Sequence, residues 1–163
     1  MKSIDNVKIR NAKPQDYEKV LSVIPEWWGG RDLSSAALKI FFIHFSDTSF
    51  IAEVNDELVG FLIGFMSQSE KDVGYAHLGG VHPEFRKVGI ARLLLKEFFK
   101  TCKTYNRSIV KSCTAPINKL SIDFHKHMGF MIEAGDGVIE GIPVTLNYLG
   151  KNNHKVLFKK ELD

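Results

Sequence analysis

The spacing of apolar residues along the chain changes repeatedly between the period of a strand and that of a helix. Residues 6–10 alternate between apolar and polar side chains, which predicts a first strand. Residues 13–24 repeat apolar side chains every three to four positions, which is the helical period, and Pro14 suits a first helical turn. Residues 34–45 predict a second helix with a serine at its start as the N-cap.

Three strands are predicted next, and the middle one is apolar on both faces. Residues 49–55 and 58–68 flank an acidic pair at 56–57 that favours a hairpin turn. Because residues 58–68 are apolar on both faces, we expect this strand to lie in the centre of a sheet. Residues 73–82 predict another strand, and its double glycine at 79–80 is typical of a bulge or of the close approach of another backbone or a ligand.

Helices and strands alternate in the second half of the chain. The predicted elements there are an amphipathic helix at 89–104, a strand at 108–115, a helix at 118–130 and strands near 138–140 and 155–160. This order is typical of an α/β protein whose mixed sheet is covered by helices. Since the chain shows neither an internal repeat nor a linker, we expect one domain that spans residues 1–163.

Composition and charge add few constraints. Hydrophobic residues make up 44% of the chain and charged residues 25%, an ordinary globular balance. The formal net charge of +3 is too small to indicate a nucleic-acid or membrane partner.

No segment approaches the roughly 20 apolar residues that span a bilayer, and the chain does not start like a signal peptide, so a cytoplasmic location is expected. Cys102 and Cys113 are too few for a disulfide framework or a zinc site, so we expect reduced thiols and no metal.

The segment VHPEFRKVGIARLL at 81–94 carries the strongest chemical signal, because it joins a strand to a helix through a basic turn. A helix start exposes unpaired N–H groups and the positive end of the helix dipole, so added cations at Arg86 and Lys87 are unfavourable unless an anion lies among them. Gly89 has no side chain and Ala91 a small one, so a ligand can approach closely. Several donors over one short loop suit a diphosphate. A glycine that merely eases the turn is the alternative.

This segment resembles the acetyl-CoA motif of the GNAT superfamily of N-acetyltransferases, V-x-P-x-x-[Q/R]-x-x-G-x-[G/A]. A second element of that family is matched by NKLSIDFHKHMGF at 118–130, and the order of strands and helices fits over nearly the whole chain. The resemblance implies the GNAT fold, a mostly antiparallel sheet that is splayed at its centre and flanked by helices. It also implies acetyl-CoA as cosubstrate, with neither a metal nor a covalent enzyme intermediate.

The resemblance also implies which residues bind the cosubstrate. Val81 is expected to contact pantetheine through its backbone, and Asn118 and Ser121 are expected to contact CoA. For Asn118 an N-cap role is compatible with this contact. The expected pyrophosphate loop consists of Arg86, Lys87, Val88, Gly89, Ile90 and Ala91.

The helix at 118–130 carries a polar stripe beside an apolar one. Asn118, Ser121 and His125 lie at i, i+3 and i+7 and therefore share one face. The neighbouring face, which we expect to point into the core, is formed by Leu120, Phe124 and Met128. His125 stands where the GNAT family usually has a tyrosine that protonates the departing thiolate. It is our candidate acid, and the alternative is a partly buried histidine with a structural hydrogen bond.

An amine acceptor must lose a proton before it attacks a thioester. With a pKa near 10.4, only about one lysine-like amine in a few thousand is neutral at pH 7, so a base is expected. Tyr75 and His77 alternate to the same face of the strand before the loop. We favour His77 as the base, directly or through a water, against the alternative of a histidine bonded inside the sheet. Tyr75 is expected either to pack or to contact the acceptor, and Glu53 on another strand is a weaker candidate.

The segment PEWWGGRDL at 25–33 lies between the first two predicted helices, where the family usually builds its acceptor pocket. Trp27 and Trp28 could form aromatic walls and Arg31 could bind a carboxylate or phosphate of a small molecule. The alternative is that one tryptophan fills the core and the rest forms a turn. The acceptor itself is not identified by the sequence.

The interpretation that we favour is a cytoplasmic enzyme that transfers acetyl from acetyl-CoA to a primary amine of a small acceptor. A CoA-binding sensor or regulatory module without catalysis is the alternative, and a nucleotide-phosphate binder is a third hypothesis. Neither nucleic acid nor a membrane is expected as a partner. Dimers are frequent among similar proteins, so a homodimer is considered.

Overall fold

A seven-stranded sheet forms the centre of the protein in the computed structural model, which describes residues 3–163. The strands of this sheet are β1 (Lys8–Asn11), β2 (Phe50–Val54), β3 (Glu57–Met66), β4 (Val73–Val81), β5 (Ile109–Thr114), β6 (Met131–Ile132) and β9 (Val156–Glu161), and a separate hairpin consists of β7 (Gly137–Ile139) and β8 (Ile142–Val144). The order across the large sheet is β1-β2-β3-β4-β5-β9-β6. Its pairs are antiparallel apart from β4 and β5, which are parallel.

Helices cover both faces of this sheet. They are α1 (Asp16–Trp27), α2 (Lys39–His44), α3 (Ile90–Thr104) and α4 (Lys119–His127). Buried side chains of α1 and α2 pack with Phe61 and Ile63 of β3, whereas those of α3 and α4 belong to a second cluster with Leu62. Because successive residues of β3 are buried on opposite faces, the prediction of a central strand that is apolar on both sides is confirmed. No helix in the described part of the chain is long and apolar enough to cross a membrane.

The strands β4 and β5 pair only along their first halves. Their register runs from Val73 opposite Ile109 to Ala76 opposite Ser112. Beyond Ala76, β4 continues to Val81 with β3 as its neighbour, while β5 continues with β9. The register between β3 and β4 skips His77, so the bulge lies at this histidine. The sheet is therefore splayed at its centre, as the family resemblance implied.

The double glycine in β4 has a different role from the bulge that was one expectation for it. Gly79 and Gly80 stay in regular register with β3. A Cβ on Gly80 would overlap the ring of Trp28, which lies against the strand, and would crowd Phe61. The glycine therefore permits close packing of an aromatic ring, and the strand bulges elsewhere.

The prediction of one helix over residues 34–45 is wrong in its first half. Ser34–Ala36 form a short 3-10 turn, and α2 begins only after Leu38, whose backbone is extended with ψ of 147°. Tertiary contacts explain the break, because the carbonyl of Ala36 accepts a hydrogen bond from His77 and Ala37 is completely buried. A serine N-cap for this helix is also wrong, since Leu38 is the N-cap and no side chain caps it. Other boundaries differ as well, because α1 begins beyond Pro14 and α4 ends at His127. The short strands β6 and β8 were not predicted.

An ion-pair cluster joins the first strand, the first helix and the second strand. Arg10 donates to both carboxylate oxygens of Asp16 at 2.8 Å and to Glu53 at 2.8 Å. The backbone N–H of Lys13 donates to Asp16 at 2.7 Å. Burial opposes ionisation of Asp16, which is 5% exposed, but these hydrogen bonds outweigh it and hold its pKa below the usual value. Because Glu53 is committed to this cluster, it is a poor candidate for a base.

Replacing Asp16 with Asn should lower the free energy of unfolding by about 2–4 kcal/mol, because Arg10 loses its bidentate partner. Since the folded pKa of Asp16 is depressed, its stabilisation is present above the unfolded pKa of about 3.9 and is lost as pH falls through the folded pKa. Urea unfolding at pH 7 and pH 3 should therefore show a smaller acid loss in the variant. Glu18→Gln on the exposed side of α1 is the control. Equal unfolding midpoints for Asp16→Asn and the wild type at pH 7 would contradict this.

Candidate active site

The turn that precedes α3 gathers backbone N–H groups that have no acceptor within residues 3–163. Lys87 and Gly89 are both left-handed, with φ of 65° and 102°, so the chain curls immediately before the helix. The first intrahelical hydrogen bond runs from the N–H of Leu93 to the carbonyl of Gly89 at 3.0 Å. Among residues 3–163, no backbone carbonyl accepts a hydrogen bond from an N–H group of residues 88–92. Free donors at the start of a long helix can bind an anion.

Side chains of the same turn either anchor it or flank it. Ile90 is buried in the core and Val88 packs against it, so these two residues offer only their backbone to a ligand. The exposed Lys87 has no ion pair within the described residues. Gly89 is needed for its left-handed backbone rather than for space, because a Cβ there would meet only Ile4, at 4.0 Å, among residues 3–163. The half-buried Ala91 completes the loop.

Arg86 has a structural role that the sequence did not predict. Its Nε donates to the carbonyl of Val81 at 3.2 Å, and its Nη2 donates to the carbonyl of Trp27. The exposed guanidinium therefore joins the end of β4 to the end of α1 beside the turn. Whether its charge also serves an anion at this turn stays a prediction.

The two adjacent tryptophans occupy different environments. Trp27 is 3% exposed and stacks on Phe61 with ring centroids 6.0 Å apart, so it fills the core. This corrects the expectation that both tryptophans line an acceptor pocket. Trp28 is half-buried and packs over Gly80 of β4, because Gly29 and Gly30, both left-handed, turn the chain there.

Arg31 and Lys155 form a pair of cations that lack acidic partners in the part of the chain that is described. Burial lowers the pKa of Lys155, and the nearby positive charge of Arg31 lowers it further. Lys155 also lies close enough to His77 to lower the pKa of this histidine. The pair is therefore an unneutralised positive region close to β4.

His77 occupies the bulge of β4 and is held in one tautomer. Its Nε2 lies 2.9 Å from the carbonyl of Ala36, and because a carbonyl only accepts, Nε2 carries the proton. Its ring stacks on Phe41 with centroids 4.7 Å apart. Burial lowers the pKa of His77 below its usual value. The neutral form therefore prevails at pH 7, and its lone pair lies on Nδ1.

Tyr75 and the two cysteines are protonated at neutral pH. Burial raises the pKa of Tyr75 far above its usual value, and the neighbouring Cys113 and Tyr148 raise it further. Burial likewise raises the pKa of Cys113, and it raises that of Cys102 to about 12. Neither cysteine is a thiolate, and a thiolate is the form that attacks a thioester.

The start of α4 carries the cap that was expected. Asn118 is its N-cap residue, and the side-chain oxygen accepts from the N–H of Ser121 at 3.1 Å. The core-facing side of α4 differs from the expectation at one position, because Leu120 is 74% exposed and Ile122 is buried instead. Phe124 and Met128 pack against the core as expected. The polar stripe with Ser121 thus faces the sheet.

His125 on that stripe is bonded at both ring nitrogens. Nδ1 lies 2.7 Å from the carbonyl of Ser121 and therefore carries the proton, while Nε2 accepts from the hydroxyl of Ser112 at 3.1 Å. The ring stacks on Phe158 with centroids 4.2 Å apart. Burial lowers the pKa of His125. In this arrangement the expected acid has no N–H free for a leaving group.

A cavity of about 600 Å³ opens beside β4, between α2 and the loop that follows β8. Its aromatic and imidazole walls are Phe41, Phe45, Phe65, Tyr75, His77 and Tyr148. Tyr75 and His77 were predicted to face the same side, and both line this cavity. The sequence did not single out the three phenylalanines, because phenylalanines at i and i+4 of a helix and on a two-sided strand have the spacing of core residues. Tyr148 belongs to the loop at 140–154, which was a candidate for one wall of the acceptor pocket because of its length and polarity. In the described chain, no group of three or more His, Cys, Asp or Glu side chains could hold a metal.

Comparison with known proteins identifies a family. The model of the acetyltransferase (GNAT) family matches residues 9–130. An uncharacterized N-acetyltransferase of Methanocaldococcus jannaschii is 35% identical over 88 residues, which are 52% of this chain and 39% of that protein. An L-2,4-diaminobutyric acid acetyltransferase of Vibrio parahaemolyticus is 26% identical over 116 residues, or 71% of this chain and 64% of that protein. The chain thus matches less than two thirds of the length of these relatives.

Solved structures share the fold over nearly their whole length. Ard1 from Thermoplasma volcanium superposes with a TM-score of 0.78 at 21% identity, covering 97% of this chain and 99% of that chain. The diaminobutyrate acetyltransferase EctA from Paenibacillus lautus, in complex with L-2,4-diaminobutyric acid and coenzyme A, has a TM-score of 0.71 at 21% identity, covering 95% and 94%. At such identities the likeness concerns the fold.

Replacing Asn118 with Ala should lower the free energy of unfolding by about 1 kcal/mol, because the N–H of Ser121 loses its acceptor. Asn118→Asp should stay close to the wild type, since a carboxylate also accepts and a negative charge is favourable at a helix start. Urea unfolding of the three proteins measures this. An Asn118→Ala protein as stable as Asn118→Asp would show that the cap contributes nothing.

Proposed function

Because the chain belongs to the GNAT family of acetyltransferases, we propose that it transfers the acetyl group of acetyl-CoA to a primary amine of a small acceptor. The amine nitrogen bonds to the carbonyl carbon of the thioester, the C–S bond breaks, and the second proton of the nitrogen passes to the departing CoA thiolate or to water. The observation that carries this proposal is the divergence of β4 from β5. Beyond this point β4 leads to the turn whose N–H groups lie free at the start of α3. The gap would admit an extended arm and the turn would bind the diphosphate at its end.

Backbone groups would make most of the contacts to CoA. The N–H groups of residues 88–91 would hold the pyrophosphate, with Arg86 and Lys87 adding positive charge at the rim. Since a strand directs alternate N–H groups to opposite edges, β4 beyond Ala76 has donors that point to the gap. One of them, between 79 and 81, would contact pantetheine at Val81 or stabilise negative charge on the thioester oxygen.

We assign the base to His77. Its Nδ1 carries a lone pair at pH 7 because Nε2–H donates to Ala36 and because burial lowers the pKa of the ring. A proton from the acceptor ammonium would pass to Nδ1 directly or through a water. A CoA-binding module without catalysis would need the turn before α3 but no histidine prepared in this way, which favours the enzyme.

The leaving thiolate needs no acid from the protein in this proposal. A thiol has a pKa of about 8.5, so its thiolate is a tolerable leaving group near neutral pH. His125 uses both ring nitrogens on Ser121 and Ser112, so we assign it the role of holding α4 against β5. Since Cys102 and Cys113 are thiols, a covalent acetyl-enzyme is not part of the proposal.

Gly89→Glu should weaken acetyl-CoA binding by about 100-fold or more, because it places a carboxylate against the diphosphate. Gly141→Glu is the matched control, since Gly141 also has a positive φ, of 78°, and open space around it. Titration calorimetry measures the affinity, and mass spectrometry of an amine panel incubated with acetyl-CoA measures transfer. Unchanged affinity in Gly89→Glu would refute the binding site. Tight binding without acetylation of any amine would favour the sensor module.

His77→Gln should lower kcat/KM by about 100-fold, because the amide still donates to Ala36 but accepts no proton at pH 7. In the wild type, activity should fall on the acid side as Nδ1 becomes protonated, below the ordinary histidine pKa of about 6.5 because burial lowers it. In the variant, the fall in activity that comes from protonation of His77 should be absent. The rise of activity with pH that comes from deprotonation of the acceptor amine should remain. Rate profiles between pH 5 and 9 test this. An identical acid limb in both proteins would remove His77 from the mechanism.

A further inference from the structure

We infer that the acceptor is a primary amine with an aromatic body, and that this body occupies the cavity between α2, β4 and the loop after β8. The inference rests on the proposed function, because it names the class of amine that the same site takes. It depends on three properties of the cavity: its walls, its charge and its position relative to His77.

Aromatic rings on the walls of the cavity contact one another in a closed circuit. Starting at His77, the ring centroids are 4.7 Å from Phe41, then 5.8 Å on to Phe45, 5.4 Å to Phe65, 5.2 Å to Tyr75 and 6.4 Å back to His77. Rings at such distances pack with one another and leave their remaining faces and edges to a ligand. A planar aromatic group is the occupant whose faces and edges match this wall.

Exposed apolar side chains also lie among the residues that line the cavity, beside the exposed Glu70. Ile40 and Leu149, both at the mouth, are 54% and 37% exposed, and Tyr148 beside them is 39% exposed. The volume of about 600 Å³ lies within the range of roughly 300–1,000 Å³ that is typical of sites for small molecules. The cavity therefore has room for an aromatic amine together with the end of an acyl group.

Charge argues against a polar amino acid in this cavity. Glu70 is the only charged side chain on its walls in residues 3–163, and it is 58% exposed and paired with Lys111 at 3.0 Å. A carboxylate held against these walls would therefore lose water without a cationic side chain on the walls to pair with, which is costly; Lys155 is close enough to affect the pKa of His77 but is not a wall residue. Arg31 and Lys155 do not line the cavity. An ammonium is tolerated better, because the faces of aromatic rings attract cations.

The position of His77 connects the cavity to the proposed chemistry. This histidine is a member of the aromatic circuit and also the residue at the bulge where β4 leaves β5. An acceptor whose aromatic body packs against the rings of the circuit would hold its amine, on a short linker, close to Nδ1 of His77. The same contacts that select the body would therefore orient the nitrogen towards the gap that leads to the thioester.

The test compares amines that differ in their body. We expect 2-phenylethylamine to exceed both putrescine and L-2,4-diaminobutyrate in kcat/KM by about 100-fold, because burial of a phenyl ring in the circuit adds apolar contact that the polar amines lack. Product mass spectrometry and CoA release measure the rates. Titration calorimetry of 2-phenylethylamine against the protein saturated with CoA measures binding without turnover.

Variants locate the selectivity. Phe45→Ala should reduce the preference for 2-phenylethylamine over putrescine by about 10-fold, since it opens the circuit. Ile43→Ala, two residues earlier in α2, is the control, because Ile43 is 47% exposed and does not line the cavity. If Phe45→Ala fails to fold, Phe45→Leu, which keeps an apolar side chain but removes the ring, serves the same purpose.

The outcomes separate this inference from the proposed function. Acetylation of polar amines with no preference for 2-phenylethylamine would overturn the inference and leave the enzyme intact, and so would a preference for peptide N-termini over free amines. Binding of acetyl-CoA without transfer to any amine would overturn the proposed function. In that case, saturable binding of 2-phenylethylamine that becomes weaker in Phe45→Ala would still support an aromatic occupant of the cavity. If 2-phenylethylamine did not bind, the inference of an aromatic occupant would be refuted.

Discussion

The hydrogen-bond ladder between β4 and β5 ends at Ala76 and Ser112, and the candidate site depends on where it ends. Backbone N–H and C=O groups inside a protein need partners, so a strand that loses its neighbour must find others. β5 keeps β9 along its whole length, whereas β4 keeps only β3. One edge of β4 is therefore left for water or for a ligand. The bulge at His77 lies where this edge begins, so the change in pairing and the candidate base occur together.

Contacts with the segment around α1 and α2 hold the free half of β4 in place. The ring of Trp28 lies over Gly80, Arg86 donates to the last residue of α1, and His77 donates to Ala36. These three contacts hold this part of β4 in place of the hydrogen bonds to β5 that it lacks. They also explain why the segment before α2 does not continue as a helix, because the carbonyl of Ala36 is taken by β4 instead of by its own helix. This hydrogen bond therefore prevents α2 from extending back through Ala36, and it also keeps the proton of His77 on Nε2.

Local patterns were sufficient to predict the features that one segment of chain determines. The strand, basic turn and helix around Gly89 follow from adjacent residues, and the apolar period of β3 fixes its central place. Features that several segments build together were not predictable. Leu120 has the spacing of a buried residue, yet α4 turns it to solvent because His125 bonds to β5. The aromatic circuit combines residues of α2, β3 and β4, each of which looks like ordinary core when its own segment is considered alone.

Burial acts on both partners of the proposed proton transfer. The stacked rings that surround His77 lower its pKa, which keeps Nδ1 free but makes it a weaker base. An amine that enters the same cavity loses water too, and desolvation also lowers the pKa of an ammonium group. The faces of the rings return only part of this loss. The free energy of proton transfer depends on the difference between the two pKa values. Because both pKa values shift in the same direction, this difference changes less than either pKa value does. An apolar site is therefore compatible with a histidine base, provided that the acceptor shares its desolvation.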